Sequence, residues 1–163
     1  MIENRLELIS PELVSRFKHA SNLQLRVCAL AACRFALDQT GLTNPIIDEG
    51  LNSIEATNYG DSLLRQKVEV LINELDEVQW AIQELLDEGQ GDQASYLRAF
   101  GQARAAQAIY SALDANPFVA ATEAIYEANA ATDDLTNLKK VILLVLLPLE
   151  QVSQPQLWVR AIS

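Results

Sequence analysis

Between Asp61 and Gly89 the chain sets its apolar residues three and four apart: Leu64, Val68, Leu71, Leu75, Val78, Ile82 and Leu85. That spacing puts all of them on one stripe of an α-helix. A β-strand, whose side chains alternate between two faces, could not bury them together. Ile72 and Leu86 widen the stripe to the breadth of a bundle helix. A helix this long, apolar along one side, is expected to lie on other helices with its charged side wet.

The rest of the chain is punctuated in the same helical grammar. Ser10-Pro11 reads as an N-cap with proline at the first helical position. Ser21 with Gln24 makes a capping box for a second helix, which Gly41 ends. Asn44-Pro45 opens a third helix, Asp61 caps the striped fourth, and Gly89 and Gly91 stop it. An Ala-rich fifth helix from about Asp92 carries Gly101 inside it, where a neighbour's backbone could approach closely. Asn116-Pro117 opens a sixth, and Thr132-Asp133 a seventh that Pro148 breaks or kinks. The tail from Ser153, with Pro155 and Trp158, is expected to dock as a short helix. The fold class is therefore all-α, with about seven helices in a bundle or short helical-repeat arrangement. At 163 residues the chain fits one domain with its own core.

Two stretches share an order of motifs. Ala36-Leu37-Asp38 precedes Asn44-Pro45 and, later, Ile54-Glu55-Ala56; Ala112-Leu113-Asp114 precedes Asn116-Pro117 and then Tyr126-Glu127-Ala128. A duplicated helical hairpin, with repeat units 22–88 and 98–148, would produce this. Shared helix-stop and helix-start chemistry would produce it too.

The net charge of −10 sets nucleic acid aside as a partner, because such binding draws on clusters of Lys and Arg and the longest basic run is Lys139-Lys140. The most hydrophobic run, Val141 to Leu147, falls short of the roughly twenty residues a membrane span needs. Met1 to Ser10 contains Glu3 and Glu7 and has no signal-peptide pattern. Cys28 and Cys33, about 140° apart around one helix, are expected to be reduced, buried thiols. These features point to a cytoplasmic protein.

No constellation for catalysis emerges. His19 is the only histidine, so neither a di-iron pattern nor a His-paired nucleophile is supported, and no Cys/His spacing suggests zinc. No cofactor is expected. Carboxylates are abundant on the fourth helix (Glu69, Glu74, Asp76, Glu77, Glu84, Asp87, Glu88), where they read as a solvated face. Glu84, Asp87 and Glu88 nonetheless crowd a helix C-terminus, an electrostatically unfavourable place for acids, which either frays or attracts a cation. Trp80 lies opposite the stripe and faces either a second packing layer or solvent, where it would anchor an interface. Arg26, Arg34, Arg98 and Arg104 lie in or beside Ala-rich stretches, as structural ion pairs (Arg34 with Asp38, one turn on) or as an anion pocket.

Leu25-Arg26-Val27-Cys28-Ala29-Leu30-Ala31-Ala32-Cys33-Arg34, followed by Ala36-Leu37 and an Asn-Pro helix start, resembles the opening of uncharacterised alanine-rich helical proteins of bacteria. The texture from Arg98 to Ala131 is similar. Some proteins of that texture are regarded as immunity proteins that neutralise toxins, so the resemblance implies a helical, non-enzymatic fold with no catalytic motif. Two functional expectations follow. One is a bacterial protein-binding module whose acidic surface, at Trp80, Glu84, Asp87 and Glu88, occupies a basic protein partner. The other is a ligand-binding or regulatory module with a pocket between Ala-rich helices, lined by Tyr96, Phe100, Arg104 or Tyr110. Homodimerisation is a further expectation, from the apolar run 141–147 and the long stripe.

Overall fold

The computed structural model describes residues 4–147. A single 3-10 turn, Arg5–Leu8, precedes α1 (Pro11–Phe17), α2 (Asn22–Thr40), α3 (Pro45–Glu55), α4 (Ser62–Asp87), α5 (Gln93–Ala112), α6 (Pro117–Thr132) and α7 (Leu135–Val145). The fold is an all-α bundle, with no strand among the described residues. The expected break at Pro148 and the docked tail with Pro155 and Trp158 lie outside those residues.

Local chemistry sets the helix ends. Ser21 and Gln24 form the reciprocal capping box, Asp61 accepts the amides of Leu63 and Leu64, and Gly41 closes α2 in the left-handed conformation. One boundary differs from expectation. Thr132 is the last residue of α6, its hydroxyl donating to the Ala128 carbonyl. Asp133 takes the left-handed conformation, which aspartate and asparagine tolerate better than other non-glycine residues, and Asp134 caps α7.

Alanine lets the central helices α2, α5 and α6 pack closely on one another. Ala29, Ala32 and Ala36 of α2, Ala105, Ala108 and Ala112 of α5, and Ala120, Ala124 and Ala128 of α6 are all fully buried. On α5 burial runs round most of the circumference, as expected of a helix with neighbours on several sides. The chain opposite it comes close at Gly101, where an added Cβ would stand 2.7 Å from the Ala131 carbonyl oxygen. Both Asn-Pro connections cap their helix with the asparagine side chain, Asn44 accepting from the Ile46 amide and Asn116 from those of Phe118 and Val119, yet they lead to different packing. α6 folds back along α5 and α2, whereas α3 turns away from α2 onto α4 and α5.

The stripe on α4 does not face inward along its whole length, which corrects the expectation. Leu64, Val68, Leu71 and Ile72 are buried, while Val78 and Leu85 are 53% and 43% exposed. α3 accounts for the difference. It packs against the first half of α4, where its Glu49 pairs with Lys67, but its eleven residues cover only about 16 Å of a helix some 39 Å long. In the run 141–147, Ile142 and Val145 are buried, and Val141, Leu143, Leu144 and Leu146 are half-buried against the core.

Candidate functional site

The outer half of α4 brings together one of the two expected surfaces. Trp80 is 58% exposed, so it faces solvent and not a second packing layer. Glu84 and Asp87 follow it four and seven residues on, along one flank, and both are exposed with Glu88 beside them. The end of this helix does not lack for hydrogen bonds. Gly89 at positive φ donates to the Leu86 carbonyl and Gln90 donates to Leu85, the two bonds of a Schellman cap. Gln83 donates to Asp87 at 2.9 Å. The three acids are thus held on a capped C-terminus, where the helix dipole adds to their negative field.

A second flank of α4 carries Glu74, Val78, Ala81, Leu85 and Glu88, again in steps of four and three. It borders an open cleft of about 460 Å³ between α4 and α5, lined by Val78, Ile82, Asp92, Ser95, Arg98 and Gln102 among others. The stripe residues of the sequence predict this apolar lining. That it lies open depends on the length of α3, which helical periodicity does not report.

The four expected pocket residues are not brought together as a pocket. Tyr96 and Phe100 stack on each other along α5, centroids 6.2 Å apart. Tyr110 lies under the Arg65 guanidinium at 4.2 Å and borders a polar cleft with Glu69, Asn73 and Asp76. Arg104 is occupied. Its guanidinium donates to Glu127 at 3.3 Å and pairs with Asp76 at 3.6 Å, tying α5 to α6 and α4.

Glu127 is the residue sequence reading passed over. It is 1% exposed and also accepts from Arg5 at 2.7 Å, while Arg5 reaches Glu123 and covers the Tyr126 ring. A buried carboxylate needs such partners. The available signal was a second glutamate one turn after Glu123 on an Ala-rich helix.

The other arginines divide. Arg26 donates to the carbonyls of Asp114 (2.6 Å) and Ala115 (2.7 Å), closing the end of α5, and stacks over Tyr59 at 3.5 Å. Burial holds its pKa below the ordinary value. Arg34 pairs with Glu55 of α3, not with Asp38 on its own helix. Arg98 is exposed and lines the α4–α5 cleft near Asp92. Cys28 and Cys33 are free and buried; burial raises both thiols, that of Cys33 to about 12.

Among the described residues no group of three or more His, Cys, Asp or Glu could hold a metal ion, and no helix is long and apolar enough to cross a membrane. His19 is exposed at the start of the α1–α2 turn. No family model, curated protein or solved structure matches this chain.

Proposed function

We propose that this chain is a non-catalytic helical binding module that occupies a basic protein partner, as an immunity-type protein does, through the outer half of α4. One observation carries the reading. An exposed tryptophan stands beside Glu84, Asp87 and Glu88 on a helix end that carries both bonds of a Schellman cap, so fraying that would relieve the acids' repulsion costs those two bonds. A cationic partner relieves it, and Trp80 supplies the large, stiff apolar contact typical of interface anchors. The overall charge of −10 would steer such a partner inward.

The test is affinity capture from extract by the wild-type chain and by Glu84→Lys/Asp87→Lys/Glu88→Lys, whose altered side chains are all solvent-exposed. A Lys- and Arg-rich protein retained by the first and lost by the second is the expected outcome. Identical retention by both overturns the reading.

A further inference from the structure

We infer that the open α4–α5 cleft accepts a cationic amphipathic helix of the partner, laid end to end with α3. This rests on the basic-partner reading above and adds the place, the secondary structure and the charge pattern of what binds.

α3 shows what this groove takes. It is itself a short amphipathic helix, with Ile47, Gly50 and Ile54 turned inward against α4 and α5. Where α3 begins, at Pro45, its cover of the groove stops, and the walls α4 and α5 continue toward Glu88 and Asp92. The apolar lining continues with them, through Val78, Ile82 and Ala99, with Leu85 one turn further along the rim. The outer part of α4 from Val78 to Glu88 is about 16 Å long, room for about three helical turns. An amphipathic helix lying in an apolar groove is a recurrent recognition mode.

Charge selects the occupant. The apolar residues Val78, Ala81 and Leu85 are bracketed on their own flank by Glu74 and Glu88, which calls for Lys or Arg near both ends of the incoming helix. A second copy of this chain fits poorly. Antiparallel pairing about Ala81 sets Glu74 opposite Glu88, and parallel pairing sets each acid against itself, so both arrangements oppose like charges. Residues 148–163 contain one Glu and one Arg and bring no net positive charge. On the α5 wall Arg98 sits beside Asp92. The partner's cations therefore belong on the α4 side, which fixes how the helix is rotated.

The probe is a fluorescent peptide of about fifteen residues, leucines at helical spacing and lysines elsewhere, read by anisotropy against the full-length chain. A scrambled peptide of the same composition has the charge without the apolar face. The patterned peptide is expected to bind about tenfold more tightly than the scrambled one. Val78→Ser/Leu85→Ser is expected to remove most of that advantage, since contact with two exposed aliphatic side chains is lost. Glu84→Lys/Asp87→Lys, on the other flank, is expected to weaken both peptides similarly. If the two peptides bind equally and only the charge reversal weakens them, the groove inference falls while the acidic-surface reading stands. If neither peptide binds, both fall. Self-association abolished by Val78→Ser/Leu85→Ser would assign the groove to a second copy and overturn the inference.

Discussion

Gly101 of α5 and the backbone carbonyl of Ala131 lie so close that a methyl group on residue 101 would stand 2.7 Å from the oxygen. Because the obstructing atom is backbone, it cannot rotate aside. Thr40 adds a second contact at 3.2 Å from the α2 side. Gly101→Ala should therefore destabilise the fold even though alanine is the better helix former by about 0.5–1 kcal/mol. Overpacking of this kind costs about 1–3 kcal/mol, which lowers Tm by about 2–4 °C per kcal/mol for a chain of this size. Thermal unfolding measures it.

Glu127 holds Arg5 and Arg104 from a site that is 1% exposed. Glu127→Ala strips two guanidiniums of their shared carboxylate, and loss of one member of a buried ionic cluster costs about 3 kcal/mol. The outward reach of both arginines to solvent places this case at the low end. Glu123→Ala, which removes a more exposed partner of Arg5, should cost under about 1 kcal/mol. Paired urea denaturation curves separate the two.

Cys28 and Cys33 are buried, with thiols raised well above their ordinary pKa by that burial. The thiolate is the reactive form. Neither should react with a thiol reagent in the native protein near neutral pH, and both should react in denaturant. Rapid native labelling would place a thiol at the surface.

Two carboxylates give acid sensitivity. The hydrogen bond from Lys139 holds Glu12 below its ordinary 4.5, and the Ser95 amide holds Asp92 below 3.8. A carboxylate whose folded pKa is depressed contributes stability above its unfolded pKa and loses it as pH falls through the folded value. Tm should thus fall as pH drops below about 4. Asp92→Asn keeps a capping oxygen but has no proton to gain, so it should flatten part of that slope. Carboxyl chemical shifts across the titration locate each midpoint.

The helix boundaries were legible because capping is local: Ser21 with Gln24, Asn44 before Pro45 and Asp61 each act within three residues. Close approach at Gly101 was legible for a different reason, since a glycine inside an Ala-rich helix weakens the helix and has few other uses, though the neighbours it meets, Ala131 and Thr40, were not. The division of α4 was not. Periodicity assigns Val78 and Leu85 to the same stripe as Leu64 and Leu71, but it carries no record of where α3 stops. Ion-pair partners were equally hidden. Arg34 has Asp38 one turn away and pairs with Glu55 across the connection instead, while Arg104 finds Glu127 and Asp76 on two other helices. The candidate surface at Trp80, Glu84, Asp87 and Glu88 could be read from helix geometry alone, and the groove beside it could not.

Amide hydrogen exchange along α4 of the isolated chain, at low and high protein concentration, tests the split of that helix directly. Strong protection from Leu64 to Leu75, faster exchange from Val78 to Glu88, and no change with concentration are the expected results. Uniform protection through Glu88 would mean that the outer half is already covered, leaving no free surface for a basic partner.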